Sequence, residues 1–343
     1  MIVRSVGDYR RECSDIDVVV LAAGFEERAA ELLSKGGFKT TAHLVLILFE
    51  NEVPGNAAIG GKYLEIAAST FELERVHKLY LRDNDVVRMV NEFRQLIVSF
   101  PANVSKIATD ISGMPAYVIF AILNVIREQH PYQNQLIFYT SASVYTPSKA
   151  EYDALSARQP DEIEYIPSSM ALGMSENKIF EPFGGYRSGN SKSCLALFAG
   201  YEPHRSSGVV DAVNPTIMPL MYGKPPSKEL EWRRDLSRRL HQKFERTRRC
   251  AVEMVSTQNI NECLAVLEEY YNYIIDDYEL TISPVCSKLQ TVASFNFWER
   301  YPEVQITFTL PIGYDPQRSP KGIGETYVLE IPGRLTFSRS GNA

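Results

Sequence analysis

An internal repeat is the feature of this sequence that most constrains its fold. Ala-Gly-Phe-Glu at residues 23–26 follows a hydrophobic run, and Ala-Gly-Tyr-Glu at residues 199–202 follows another, 176 residues later. Further landmarks recur in the same order, down to Tyr314, which follows Tyr145 by 169 residues. A spacing that drifts so smoothly is typical of small deletions between two copies of one domain. A period this long excludes a solenoid, whose repeats span about 20 to 50 residues.

Buried strands alternate with helices in both copies. Residues 16–22 form a Val- and Leu-rich run without polar alternation, which indicates a strand buried on both faces of a parallel sheet. The pattern predicts an α/β fold of two tandem Rossmann-like units, each a doubly wound parallel sheet, related by internal duplication. We place the first unit at residues 1–150, a connecting segment at 151–190, and the second unit with a C-terminal tail at 191–343.

Composition narrows the class of protein. A chain of 343 residues, 45% of them hydrophobic, has room for two globular cores, and a net charge of −6 gives no overall reason for nucleic-acid binding. Five cysteines without a CxxC pair favour a reducing cytoplasm over a disulfide scaffold or a zinc cluster. The N-terminus lacks the apolar core of a signal peptide, and the longest apolar run, residues 116–126, is about half of a membrane span. We therefore expect no membrane segment.

The repeated motifs predict where a ligand would bind. In a sheet of strand order 3-2-1-4-5, the first and fourth strands are neighbours, and ligands bind at their carboxyl ends. In the first copy these ends carry Gly24, Glu26, Arg28, Ser112 and Gly113. The equivalents in the second copy are Gly200, Glu202, Arg205 and Ser283. Glycine lets backbone approach closely, serine offers donors at a helix start, and arginine pairs with phosphate. We expect two crevices that bind a nucleotide-like small ligand.

Other interpretations of these residues stay open. The plainer one is structural: tight turns at the glycines, glutamates that complement helix dipoles, and serines that cap helices. A catalytic one makes Glu26, Glu27 and Asp110 ligands of Mg²⁺ in a phosphoester or nucleotide hydrolase, although capping or surface carboxylates are favoured. No GxGxxG, P-loop, GxSxG or HExxH motif is present. A third interpretation is a catalytically inactive partner subunit, and the sequence leaves a homo-oligomer and a separate effector chain equally open.

Residues 228–249 form a predicted basic helix within an acidic chain. Nine Lys and Arg stand against four Asp and Glu in this segment. Such a helix can meet a phosphate-bearing ligand, a nucleic acid or an acidic protein surface. A solvated helix face is the favoured interpretation, so nucleic acid is not the expected partner.

The two turns of the first copy resemble the ligand-binding edges of CRISPR-associated Rossmann-fold (CARF) domains. The resemblance rests on residues 23–26 and on Thr-Asp-Ile-Ser-Gly-Met at residues 109–114, and the fusion of two units is similar to the SAVED sensors of bacterial antiviral signalling. It implies binding of cyclic oligonucleotides across paired units, with any effector activity in another chain. The lysine usual after the family's glycine is missing, since Met114 and Pro115 follow Gly113.

Overall fold

The chain divides into two compact units, which are described separately. Unit 1 comprises Met1–Ser143 and the chain from Gly322 onward, and unit 2 comprises Val144–Lys321. The computed structural model describes residues 1–50, 56–82, 85–101, 104–158, 171–174, 176–186, 192–247 and 249–334. Much of the predicted connecting segment, residues 159–170, 175 and 187–190, therefore lies outside the described residues.

Within its described residues, unit 1 contains one sheet of seven strands and five α-helices. The strands are β1 (Arg4–Ser5), β2 (Val18–Ala22), β3 (His43–Glu50), β4 (Val76–Arg82), β5 (Ile107–Asp110), β6 (Gln135–Thr140) and, from the C-terminal segment, β16 (Thr326–Ile331). The helices are α1 (Tyr9–Cys13), α2 (Glu31–Lys35), α3 (Asn56–Thr70), α4 (Val86–Ser99) and α5 (Ala116–Gln129).

The parallel core of this sheet has the predicted strand order. Its strands run β4-β3-β2-β5-β6, which is 3-2-1-4-5 in the order of the parallel strands along the chain. Val19 of β2, for example, pairs with Leu44 of β3 on one side and with Ala108 of β5 on the other. The first and fourth parallel strands are therefore neighbours, as the ligand-site argument requires.

Burial explains why the central strand and helix of unit 1 could be predicted from their hydrophobic residues. All five residues of β2 are buried, because helices cover both faces of a parallel sheet. The helix α5 is buried at every position from Tyr117 to Arg127, which confirms that the apolar run is a core helix. None of the helices in the described ranges has the length and apolar character needed to cross a bilayer.

The C-terminal strand belongs to unit 1 and not, as the sequence predicts, to the second unit. β16 pairs antiparallel with β6 from Thr326 opposite Thr140 to Ile331 opposite Gln135. β1 then adds to the outer edge of β16, also antiparallel. The β-branched and aromatic residues in 326–331 favour a strand, but they do not identify which sheet edge the strand will extend.

Unit 2 repeats the α/β alternation. Its described strands are β7 (Ala171–Leu172), β8 (Glu176–Lys178), β9 (Lys192–Ala199), β10 (Met218–Lys224), β11 (Cys250–Ser256), β12 (Tyr278–Pro284), β13 (Gln305–Ile306), β14 (Phe308–Leu310) and β15 (Gly313–Tyr314). Its described helices are α6 (Lys149–Ser156), α7 (Pro203–Val213), α8 (Glu231–Thr247), α9 (Ile260–Ile274) and α10 (Lys288–Arg300).

The main sheet of unit 2 has the same order as the parallel core of unit 1. The strands run β11-β10-β9-β12-β13, all parallel, again 3-2-1-4-5. The apolar run at residues 304–310, which the sequence predicts as a single strand, forms two strands with different partners. β13 pairs with β12, and after Thr307 the chain continues as β14, which pairs antiparallel with β8. Apolar residues continue through both β13 and β14, so the hydrophobic pattern does not reveal that the chain changes its partner strand from β12 to β8.

Candidate functional site

In unit 1 the glycine-bearing and serine-bearing turns meet at the carboxyl edge of the sheet. Leu21 of β2 pairs with Asp110 of β5, so the chain leaves both strands at the same level. A Cβ atom built on Gly24 would lie 3.1 Å from Gly113 Cα, and one built on Gly113 would lie 2.5 Å from the carbonyl oxygen of Ala22. The two glycines therefore allow a direct backbone-to-backbone contact that no larger residue at position 113 permits.

A buried ion pair follows the first turn of unit 1. The guanidinium of Arg28 donates to the Glu26 carboxylate and to the main-chain carbonyl of Thr140, at the end of β6. Its carbon Cζ lies 5.4 Å from the centre of the Tyr139 ring. The side chains of Arg28 and Glu26 are only 3% and 7% exposed. Arg28, which we expected to pair with a ligand phosphate, is instead bonded inside the protein and joins the first turn to the fifth parallel strand.

Thr140 connects this ion pair to the serine turn and to β16. Its amide donates to Ser112 Oγ at 2.8 Å, and its hydroxyl lies 2.8 Å from the hydroxyl of Thr326. The phenol of Tyr9 donates to Thr326 Oγ1 at 2.6 Å. The polar groups at the carboxyl edge thus form one continuous network, and Ser112 is a hydrogen-bonded link in it. Pro115, not Ser112, occupies the N-cap position of α5.

The carboxylates proposed as metal ligands are in different environments. Asp110 is 1% exposed, and its Oδ1 accepts from the Ser112 amide at 2.8 Å. Glu26 is engaged with Arg28, whereas Glu27 is exposed. Across the described ranges, no three His, Cys, Asp or Glu side chains are grouped so that they could hold a metal ion. The structure therefore does not assemble the magnesium site of the hydrolase interpretation from Glu26, Glu27 and Asp110.

The same convergence occurs in unit 2. A Cβ atom built on Gly200 would lie 2.7 Å from the carbonyl oxygen of Val285, just beyond the end of β12. Ser283 lies within β12 itself, and the N-cap of α10 is Ser287, whose hydroxyl accepts from the Gln290 amide. The glycine turn after the first parallel strand therefore touches the turn after the fourth in this unit as well.

An ion pair also recurs at the corresponding place in unit 2. Arg205 binds the Glu202 carboxylate, and it donates to the hydroxyl of Thr309 at 3.0 Å and to the Thr309 carbonyl at 2.9 Å. Thr309 corresponds to Thr140 in the repeat, with the same 169-residue spacing as the two tyrosines. The pair is more open here, since the Arg205 and Glu202 side chains are 20% and 12% exposed. The glutamate of each motif thus serves to hold an arginine that reaches a threonine.

A buried histidine that no sequence motif indicates is linked through Ser237 to the glycine turn of unit 2. His241 of α8 is fully buried, its Nδ1 donates to the Ser237 carbonyl at 2.8 Å, and its Nε2 accepts from Ser206 Oγ at 2.8 Å. Ser237 Oγ in turn donates to the Gly200 carbonyl at 2.7 Å. Burial lowers the pKa of His241 to about 4, so the neutral imidazole is the stable form. Its place on the apolar stripe of α8, one residue after Leu240, was the available signal.

Several basic residues of α8 have protein partners in unit 2. The guanidinium of Arg233 lies 4.7 Å from the Trp232 ring and 5.9 Å from the Tyr201 ring. Arg234 pairs with Asp235, and both Nε and Nη2 of Arg238 lie 3.1 Å from carboxylate oxygens of Glu245. The N-terminal half of the helix is therefore held by local contacts. Arg248 lies outside the described residues.

A surface groove of unit 1 lies away from these turns. It has a volume of about 350 Å³ and is formed on β1, β6 and β16, where Arg4, Leu136, Val328 and Glu330 are among its lining residues. None of its lining residues belongs to the glycine or serine turns. The groove is thus separate from the predicted crevice.

Comparison with known proteins does not identify a family. No family model matches the sequence. No curated protein matches it either. Among solved structures, the N-domain of a bacterial malonyl-CoA reductase, crystallised with NADP, is similar over 87% of this chain and 81% of that chain, with 9% identity and a TM-score of 0.23. A similarity at that level carries no argument, so the function has to be argued from the residues of this chain.

Proposed function

We propose that the protein is a sensor or regulatory subunit that binds a nucleotide or another phosphorylated small ligand at the carboxyl edges of its two parallel sheets. The repeated convergence of turns supports this proposal: Gly24 meets Gly113 in unit 1, and Gly200 meets Val285 in unit 2. Sheets of this strand order bind ligands at this point of the edge. The contact occurs in both units, as duplication of one ligand-binding domain would produce.

The buried ion pairs have a supporting part in this proposal. Glu26 with Arg28, and Glu202 with Arg205, hold the first turn of each unit against a threonine of a strand that is distant in sequence. A turn that is already ordered loses less conformational entropy when a ligand binds to it. These arginines therefore position the turn, and the phosphate is recognised by groups nearer the surface.

Exposed cations at the same edges suit a phosphorylated ligand. In unit 2, Lys224 ends β10 and is exposed, with its Nζ 3.4 Å from Glu262. In unit 1, Arg82 ends β4, where it pairs with Glu50 of β3. Charges at this position attract an anion without the desolvation cost of a buried site.

The resemblance to CARF and SAVED domains selects which phosphorylated ligands to test first. It favours cyclic oligonucleotides over mononucleotides and dinucleotides. A role in bacterial antiviral defence rests on that resemblance alone, and it would require an effector in another chain. The binding experiment below separates the ligand classes.

The test is a thermal-shift screen of the full chain, with calorimetry on any hit, against mononucleotides, dinucleotides and cyclic oligonucleotides. A ligand that binds only the native state at 100 times its Kd stabilises it by about 2.7 kcal/mol, so the melting temperature rises. Lys224→Glu should weaken the response at unit 2. Lys192→Glu is the matched control, because Lys192 is exposed at the opposite, amino end of the neighbouring strand β9.

Two outcomes would count against the proposal. One is a screen in which no ligand class changes the melting temperature. The other is an equal loss of binding in Lys224→Glu and Lys192→Glu, which would show that net charge and not the carboxyl edge governs the response.

A further inference from the structure

Two histidines of unit 1 lie side by side at the amino edge of the sheet, the edge opposite the glycine and serine turns. His43 begins β3, and His77 is the second residue of β4. His77 pairs with Val45, so His43, two residues before Val45, is on the same face of the sheet. Nδ1 of His43 lies 3.0 Å from Nε2 of His77, and both residues are partly exposed.

Two further side chains extend this pair. Arg75 ends the short 3₁₀ helix before β4, and its Nη1 lies 2.7 Å from Nε2 of His43. Phe100 is the C-cap of α4, and the centre of its ring is 4.5 Å from that of His43 and 5.3 Å from that of His77. The contacts therefore join β3, β4 and the end of α4. We call Arg75, His43 and His77 the histidine cluster.

Arg75 determines where the protons of both imidazoles are. A guanidinium can only donate, so Nε2 of His43 is the acceptor in its contact with Arg75. A neutral His43 then carries its proton on Nδ1 and donates it to Nε2 of His77. Both rings are therefore neutral and accept at Nε2. A proton added to either Nε2 would place two donors face to face and remove one hydrogen bond.

The surroundings of the cluster also favour neutral imidazoles. Burial, followed by the positive charge of Arg75, lowers the pKa of His43. Burial also lowers the pKa of His77, with smaller contributions from His43 and Arg75. From α4 the cluster meets the uncharged ring of Phe100. Geometry and electrostatics thus favour the same protonation state.

Two carboxylates near the cluster are engaged by other groups. Asp17, before β2, raises the pKa of His43, but less than burial and Arg75 lower it. Its carboxylate accepts from two main-chain amides and lies 3.5 Å from Nζ of Lys39. Glu72 lies 3.7 Å from Nε of Arg75, which leaves Nη1 of that arginine directed at His43.

We propose that the histidine cluster is an acid-sensitive latch, which joins the amino ends of β3 and β4 to the end of α4 at neutral pH and opens when either imidazole binds a proton. Histidine is the side chain whose ordinary titration lies nearest to physiological pH. Both pKa values are below the ordinary 6.5 in the folded protein. The stabilisation is therefore present above pH 6.5 and is lost as the pH falls below it.

The first test is ¹⁵N NMR of the histidine rings in the full chain, which reports the protonation of each ring nitrogen. At about pH 7.5, His43 and His77 should both be protonated at Nδ1 and unprotonated at Nε2. Hydrogen exchange, corrected for the intrinsic rate, then measures the latch. By about pH 5, protection of amides at the amino ends of β3 and β4 should fall at least about threefold relative to their carboxyl ends.

The second test removes the guanidinium with Arg75→Met. The pKa of His43 should rise because a positive neighbour is gone, so the midpoint of its NMR titration should move to higher pH. Arg88→Met is the matched control. It removes the same charge from an exposed residue in the first turn of α4, at the opposite end of that helix from Phe100. The control should leave the midpoint of His43 unchanged.

Three results would each overturn the proposal: a proton on Nε2 of His43 at neutral pH, a midpoint of His43 that is the same in Arg75→Met as in the original protein, or amide protection in β3 and β4 that does not change with pH. The first and third are measured on the original protein, so they decide even where Arg75→Met does not fold. The cluster contains none of the residues of the glycine and serine turns, so the ligand screen and this titration can succeed or fail independently.

Discussion

The carboxyl edges of the two sheets carry the same kind of ion pair, but the pair is buried more deeply in unit 1 than in unit 2. In each unit a glutamate after the first parallel strand holds an arginine, and the arginine reaches the main chain of a threonine, Thr140 in unit 1 and Thr309 in unit 2. In unit 1 this pair is almost fully buried, whereas in unit 2 it is partly open to solvent. The same motif is therefore enclosed in the core of unit 1 and reached by solvent in unit 2.

Removing the arginine of each ion pair should give the largest difference in stability between the two units. Arg28→Met leaves the Glu26 carboxylate buried without its partner, which should cost about 3–5 kcal/mol. Arg205→Met should cost about 1.5–3 kcal/mol, because water can reach the more open Glu202. Hydrogen exchange read separately over each unit measures the loss. Equal losses would contradict the ranking that the burial of the two pairs predicts.

The stability of unit 2 should depend on pH because of His241. His241 has a folded-state pKa near 4 and an ordinary value of 6.5, so the unfolded chain binds more protons between these values. Stability contributed by neutral His241 is complete above pH 6.5 and falls as the pH drops, by about 3 kcal/mol once it is below 4. Urea unfolding followed by tryptophan fluorescence reports on this unit, because both tryptophans, Trp232 and Trp298, lie in it.

The control for this pH dependence is His241→Gln, which should remove the slope between pH 6.5 and 4. Burial also lowers the pKa of His43 and His77 in unit 1, but both are only partly buried. The acid sensitivity of unit 1, measured by hydrogen exchange, should therefore be smaller. An unchanged slope in His241→Gln would show that another group dominates.

The smallest expected effects are at the glycines, where both units should respond alike. Gly113→Ala and Gly200→Ala push a methyl group to within 2.5 and 2.7 Å of a carbonyl oxygen, so each should cost about 1–3 kcal/mol. Gly61→Ala is the control: it has open space in α3 and should stabilise the protein by up to about 1 kcal/mol. Urea midpoints measure all three, and a neutral Gly113→Ala would disprove the close contact of the turns.

The central elements were predictable because their signals are local. The buried run of β2 and the apolar helix α5 follow from uninterrupted hydrophobic residues, and the alternation of strand and helix implies parallel pairing. The repeat then predicted that both units would share a strand order. The placement of β16 and the break at Thr307 were not predictable, because each depends on which distant strand offers a free edge.

The contact between the turns was predictable from the sequence, but the partners of nearby buried side chains were not. The glycine turn after the first parallel strand contacts the turn after the fourth in both units, although Ser283 of unit 2 lies within β12 and not in that turn. The partners of Arg28 and His241 were not foreseen, because Thr140 and Ser206 lie 112 and 35 residues away along the chain. No local pattern in a sequence reports such pairings.

Periodicity and repetition are visible in a sequence without knowing which distant residues meet, so they predicted the alternation of strands and helices, the duplication and the glycine turns after the first strands. Tertiary contacts account for the rest: Arg28 faces inward, the C-terminal strand returns to unit 1, and His241 stays neutral. Burial and hydrogen bonding depend on what the folded chain brings alongside a residue, and an ion pair that is closed in one unit is partly open in the other for that reason.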